Sequence, residues 1–149
     1  TFKEALDYVC TSLSRMIAKD GEGATKLIEV IAEGAMHEED AYKVVSSIAK
    51  SPLVKTAIFG EDANWGRIIT AAGYSGAEFD PNLVDIFIGD LMVCRNGTGL
   101  KFDEAAAKEI LTKDEVKIKI NLKNGIASDR IWTCDFSYDY VKINGSYRS

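Results

Sequence analysis

The sequence contains one histidine, His37, and three cysteines, Cys10, Cys94 and Cys134, scattered over 149 residues. A metal centre built from imidazoles and thiolates needs such ligands at short, defined spacings, and none occur here. Three widely separated cysteines, each among apolar neighbours, read as buried reduced thiols in a cytosol-like compartment rather than as a disulfide framework. Basic excess is also missing. The net charge is -5 and no basic stripe is visible, which argues against a nucleic-acid partner. No apolar run approaches the length that spans a bilayer, and no signal peptide is visible. The lone histidine lies in the acidic stretch Met36-His37-Glu38-Glu39-Asp40, so a Ser–His–Asp set cannot be assembled. Asn96-Gly97-Thr98-Gly99 lacks the lysine and helix of a phosphate-binding loop. No pair of catalytic carboxylates can be argued from spacing alone.

What remains suits one globular domain. The length and a 46% hydrophobic content support a substantial core. Phe2, Ala5, Leu6, Val9, Cys10, Leu13, Met16 and Ile17 recur at helical spacing and predict a helix over 2–19, stopped by Asp20-Gly21. Ala24 to Glu33 carries the β-branched run of a strand. Glu38 to Lys50 returns to helical spacing through Ala41, Val44, Val45 and Ile48. Ser51-Pro52 reads as a cap and a first-turn proline, opening a short helix. Asn64 is placed to cap a helix over Gly66–Ala72, closed by Gly73. Residues 83–95 are mostly strand-like, and Asp103 caps a short alanine-rich helix to Leu111. Val116 to Leu122 alternates with period two, as a half-buried strand does. Asn124-Gly125 is a hairpin signal, pairing that strand with one over Ile126 to Phe136. The sum is a single α+β layered domain, a largely antiparallel sheet with helices packed on it.

Four stretches could carry chemistry. In Gly21-Glu22-Gly23-Ala24-Thr25-Lys26 a carboxylate stands between two glycines, where the backbone can turn sharply and approach another group closely. It is either a ligand-binding carboxylate or a surface turn. Residues 55–67 crowd Lys55, Asp62, Asn64, Trp65 and Arg67 into a short loop, as many sites do. The same mix also serves a capped helix–helix joint with Trp65 as anchor. Trp132 to Tyr140 offers aromatics and two aspartates, either a pocket wall or core packing. The tail from Tyr140 to Ser149 stays aromatic and apolar, with Val141, Ile143 and Tyr147 alternating with polar residues. It reads as docked, lining a site or forming an edge strand. Thr1 invites the N-terminal-nucleophile reading, in which the α-amine activates the hydroxyl. A helix beginning at residue 2 argues against it, because such nucleophiles need a rigid strand end in a cleft.

Gly21–Lys26, Ser51-Pro52-Leu53-Val54-Lys55-Thr56-Ala57, Asn64-Trp65-Gly66-Arg67-Ile68 and Asp139-Tyr140-Val141-Lys142-Ile143-Asn144 follow one another in that order. In this order they resemble the ornithine acetyltransferases, or bifunctional glutamate N-acetyltransferases, of arginine biosynthesis. The likeness runs from Phe2 to Ser149. It implies the layered helix/sheet sandwich of the ornithine acetyltransferase or DmpA-like type. It also implies a precursor that cuts itself in two, with the new N-terminal threonine of the β chain as nucleophile. That threonine belongs to an Ala-Thr-Met-type motif, which residues 1–149 lack. The chain therefore reads as the C-terminal part of the β chain, with nucleophile and oxyanion-hole residues upstream and no catalytic residue of its own.

The same resemblance implies substrate-binding roles for Glu22, Asn144 and Ser149. Ser149 stands where the family often ends in threonine and keeps the hydroxyl, while Gly145-Ser146 replaces a commoner Ala-Asp. The implied reaction moves an acetyl group from N-acetylornithine to glutamate through an acetyl-threonine intermediate, with ping-pong kinetics. Neither acetyl-coenzyme A nor a metal is required for that exchange. Implied partners are the α chain and the remaining part of the β chain, in a heterotetramer of two α and two β chains. The implied compartment is the cytoplasm, or the mitochondrial matrix in a fungus. Two other readings stay open: a sibling acyltransferase or N-terminal-nucleophile-type hydrolase on the same scaffold, and a non-catalytic binding or assembly module.

Overall fold

A computed structural model describes residues 1–146. Tyr147, Arg148 and Ser149 lie outside the described residues, and with them the site expectation for Ser149. Helix α1 spans Phe2–Lys19 and is opened by a capping box. The Thr1 hydroxyl accepts from the Glu4 backbone N–H at 3.2 Å, and the Thr1 ammonium meets the Glu4 carboxylate at 2.9 Å. Strand β1, Leu27–Ala35, follows, then α2 over Glu38–Lys50. α3, Pro52–Phe59, is capped by the Ser51 hydroxyl, which accepts from Val54 N–H. α4, Trp65–Gly73, is capped by Asn64, which accepts from Arg67 N–H at 3.1 Å. Strands β2 (Asp85–Ile88), β3 (Leu91–Arg95) and β4 (Thr98–Gly99) precede α5, Glu104–Leu111, which Asp103 caps. β5 (Glu115–Asn121), β6 (Ala127–Cys134) and α6 (Tyr138–Ser146) complete the order.

The six strands form one sheet in the order β4-β3-β2-β5-β1-β6. Only the β1–β5 pairing is parallel, so the sheet is largely antiparallel, as expected for the α+β layered class. Period-two alternation puts Ile28, Val30 and Ala32 of β1 beside Val116, Ile118 and Ile120 of β5 on one face. These residues, with Ile86 and Ile88 of β2, are buried against Ala41, Val44, Val45 and Ile48 of α2 and against Val54, Ile58, Ile68 and Leu111. Burial of this apolar surface is the main force holding the domain together. The opposite face presents Glu29, Ile31 and Glu33 next to Lys117, Lys119 and Asn121. Helix α1 crosses that second face, tied by an Arg15–Glu115 ion pair of 2.7 Å.

Five expectations need correction. Of the three cysteines expected to be buried only Cys94 is; Cys10 is exposed on α1 and Cys134 is half-buried. Asn124-Gly125 does not close a hairpin, because β1 lies between β5 and β6 and pairs with both. Asn124 N–H donates to Gly34 O at 2.7 Å, so the loop wraps the end of β1. The left-handed residue in this loop is Lys123 (φ 50°), where a hairpin turn needs positive φ at Asn124 and Gly125. β1 has apolar side chains enough to hold a neighbour on either side, and that outweighs a local turn preference. The strand predicted from Ala24 starts only at Leu27, because side chains from elsewhere hold Ala24–Lys26 in a loop. The run over 83–95 breaks into β2 and β3, which pair with each other. The tail is helical through Ser146 rather than an alternating strand.

Candidate functional site

The Gly21-Glu22-Gly23 turn sits between the end of α1 and the start of β1. Gly23 has φ +70°, and a Cβ there would lie 2.5 Å from the Tyr140 backbone nitrogen. A Cβ on Gly21 would lie 2.5 Å from the Cys134 sulfur. Both glycines therefore let the turn press against the exit of β6 and the first turn of α6. Glu22, held between them, is exposed and makes no hydrogen bond or ion pair among the described residues.

The segment Asp135-Phe136-Ser137 clamps this turn. Asp135 is fully buried, and its carboxylate accepts from Thr25 N–H and Lys26 N–H, each at 2.8 Å, and from the Thr25 hydroxyl. A buried carboxylate bonded to backbone N–H groups makes strong charge-assisted contacts and offsets its desolvation. Ser137 donates its hydroxyl to Gly23 O and accepts from Tyr140 N–H at 3.2 Å. Between them, the Phe136 ring stacks on Tyr140, with centroids 4.3 Å apart and planes at 11°. Lys55 Nζ lies 4.0 Å over the Phe136 ring, and Phe136 N–H donates to Lys55 O at 3.3 Å. Burial pushes the Lys55 ammonium below the ordinary lysine range, while the neighbouring Cys134 and Asp135 oppose the shift. Burial pushes the Cys134 thiol up; Lys55 opposes this and Asp135 adds to it.

The candidate residues separate into two sets. Asn64, Trp65 and Arg67 are committed to the fold. Asn64 caps α4, Trp65 packs against the core, and Arg67 donates to Leu53 O at 2.8 Å. Lys55 turns the other way, to the clamp. Asn144 lies one turn along α6 from Tyr140, which touches the glycine turn. Its side chain is exposed and donates to Tyr140 O at 2.8 Å. Glu22 and Asn144 are thus carried on two elements in direct contact. Thr1 is committed to capping α1. The sequence placed Asp135 only within an aromatic stretch that read as a pocket wall or as core packing. Its partner Thr25 is 110 residues away, and no local spacing encodes that contact. A cleft of about 620 Å³ opens elsewhere, lined by Met36, His37, Asp40, Lys43 and Glu78, and includes none of these groups.

The sequence matches the model of the ArgJ family over residues 1–149. The chain belongs to the ArgJ family. It is 56% identical to the arginine biosynthesis bifunctional protein ArgJ of Caldanaerobacter subterraneus, over 99% of this chain and 38% of that protein. It is 57% identical to the arginine biosynthesis bifunctional protein ArgJ 1 of Clostridium acetobutylicum, over 99% of this chain and 37% of that protein. The crystal structure of the arginine biosynthesis bifunctional protein from Bacillus halodurans superposes with a TM-score of 0.95 at 48% identity. That match covers 98% of this chain and 69% of the solved one. The ArgJ-family chain described here thus spans well under half the length of these curated relatives.

Proposed function

We propose that these residues are the C-terminal part of the β chain of an acetyltransferase of arginine biosynthesis. The enzyme moves the acetyl group of N-acetylornithine to glutamate. A threonine outside these residues attacks the acetyl carbonyl, ornithine leaves, and glutamate takes the acetyl group from the acyl-enzyme. In the first step the amide of N-acetylornithine breaks as the threonine ester forms and the ornithine amine takes the proton. In the second the ester breaks as glutamate's amine forms a new amide and the threonine hydroxyl regains its proton, with hydrogen-bond donors outside this chain stabilising each oxyanion. Glu22 receives the cationic end of ornithine, where a carboxylate and an ammonium form a charge-assisted bond. Asn144 and Ser149 contact the amino-acid carboxylate or amide. The α chain and the rest of the β chain complete the enzyme as a heterotetramer in a cytosol-like compartment, a reading that three free cysteines support. No metal or acetyl-coenzyme A enters this exchange.

The observation that carries the proposal is the ArgJ-family match over residues 1–149 together with an unpaired Glu22 on a clamped glycine turn. The test is Glu22→Gln in the complete enzyme. Losing the charge-assisted bond is expected to weaken N-acetylornithine binding by about 1.5–3 kcal/mol, with little change in Tm. Unchanged binding would remove Glu22 from the site. Residues 1–149 alone are expected to show no acetyl exchange; turnover that stops when the Thr1 amine is blocked would make Thr1 the nucleophile.

A further inference from the structure

Lys55, on α3, brings an ammonium to the clamp and meets no anion there. Its Nζ lies 4.0 Å over the Phe136 ring and, among the described residues, has neither a hydrogen-bond acceptor nor a carboxylate at ion-pair distance. Asp135 attracts it from further off, but that carboxylate is filled by the Thr25 and Lys26 N–H groups. A ring face satisfies one side of an ammonium and leaves its other N–H donors open. Other cations around the turn are placed differently. Lys26 Nζ donates to Ile58 O at 3.3 Å and lies 3.9 Å from Glu61. Lys19 is exposed at the end of α1. Lys142 is two residues from both Tyr140 and Asn144, so it stands on the opposite side of α6. Phe136, under Lys55, stacks on Tyr140, and Tyr140 in turn touches Gly23 and accepts from the Asn144 side chain. Lys55, the Glu22 turn and Asn144 are thus gathered around one pair of stacked residues.

The proposed acetyl exchange, on which this inference rests, makes one site serve two amino acids in turn. They share an α-carboxylate beside the reacting amine and differ at the far end, an ammonium on ornithine and a carboxylate on glutamate. Glu22 attracts the first and repels the second. We infer that Lys55 receives the side-chain carboxylate of glutamate, so that the far end of the site holds ornithine through Glu22 and glutamate through Lys55. A half-buried ammonium has lost part of its hydration, and burial disfavours its charge. An arriving carboxylate offsets that loss with a charge-assisted hydrogen bond. The backbone of Lys55 is fixed on both sides: its N–H donates to Ser51 O at 3.0 Å and its carbonyl accepts from Phe136 N–H at 3.3 Å. The ring beneath steers the ammonium without occupying its N–H donors. Formation of the acyl-enzyme makes no use of this ammonium, because the far end of ornithine carries no anion. Lys55 therefore governs the choice of acceptor in the second half of the exchange.

The test replaces Lys55 by Met and by Arg in the complete enzyme and follows each half of the exchange. In ping-pong kinetics, kcat/KM for a substrate reports the half-reaction which that substrate enters. Lys55→Met is expected to lower kcat/KM for glutamate at least ~tenfold further than kcat/KM for N-acetylornithine, as the loss of one charge-assisted contact requires. It is also expected to erase the preference for glutamate over glutamine, whose far end is a neutral amide. Lys55→Arg keeps the charge and is expected to keep that preference. Equal falls on both substrates would make Lys55 a packing anchor for Phe136 and overturn the inference. So would an unaltered preference for glutamate over glutamine in Lys55→Met. Lys55→Gln is read in the same way should Lys55→Met not fold. Transfer of labelled ornithine into N-acetylornithine by the unsubstituted enzyme checks the acetyl exchange by itself. Its absence sinks acetyl transfer and this inference with it, whereas its presence with an unaltered acceptor preference sinks the inference alone.

Discussion

Helix α2 turns Ala41, Val44, Val45 and Ile48 onto β1 and β6, and all four are buried. Helix α1 also lies against β1 and β6, from the other side, yet its equivalent stripe faces solvent. By apolar pattern the two helices are hard to tell apart, since each has one apolar face, although only α1 has a side-chain N-cap. The difference lies in what the sheet offers them. One face presents Ile28, Val30, Val116, Ile118 and Ile120, and the other presents a mixed set in which Glu29, Glu33, Lys117, Lys119 and Arg130 surround Ile31 and Trp132. An apolar stripe gains free energy only where apolar area covers it. Amphipathicity therefore says that a helix has a partner, and the surfaces around it decide which.

The sharpest test of this contrast is Ile48→Ala against Leu13→Ala in residues 1–149. The buried Ile48 is expected to cost about 2–5 kcal/mol in urea denaturation. Leu13, exposed on α1, is expected to stay within about 0.5 kcal/mol. Equal costs would mean that the α1 stripe is already covered. A smaller effect is expected at the clamp. Asp135→Ala leaves the Thr25 and Lys26 N–H groups without their acceptor, costing about 1–3 kcal/mol, with faster amide exchange at those two residues. Exchange no faster than in the parent would show that Asp135 does not hold the turn.

The smallest expected effect is a change of slope with pH. Lys55 has a folded-state pKa below its unfolded one, so between the two values the unfolded chain binds more protons. Its contribution to stability therefore rises with pH toward the ordinary lysine range. Cys134, with its pKa raised on folding, contributes stability that is present below the ordinary thiol value and is lost as pH rises toward the folded one. Lys55→Met is expected to remove an upward component from the alkaline stability profile, and Cys134→Ala a downward one. Denaturation midpoints across the alkaline range check both signs, and slopes of the wrong sign would show that burial does not dominate at these groups.

The legibility of the molecule follows the range of the interactions. The spans of α1 and α2, and the caps Ser51, Asn64 and Asp103, rest on contacts within a turn or two and could be read directly. The glycines around Glu22 signalled a close approach, which the structure contains, but not that Cys134 and Tyr140 are the groups approached. The Asn124-Gly125 signal misled because hairpin chemistry is local, whereas the places beside β1 are contested by the whole sheet. The tail alternation misled for a similar reason. Ser137 and Tyr140 hold the first turn of α6 against Gly23, and a helix satisfies that anchor.

By itself the sequence determined where α1 to α5 lie, which side of α1 and of α2 is apolar, the alternation of β5 and the kinship to the ArgJ family. Capping, periodicity and motif order are carried by residues close in the chain. Only the tertiary structure decided that β1 separates β5 from β6, that Asp135 anchors the turn bearing Glu22, and that α1 shows its apolar stripe to the outside. Each of these is a competition for buried area or for a buried hydrogen-bond partner between groups far apart in sequence. Its outcome depends on which surfaces meet.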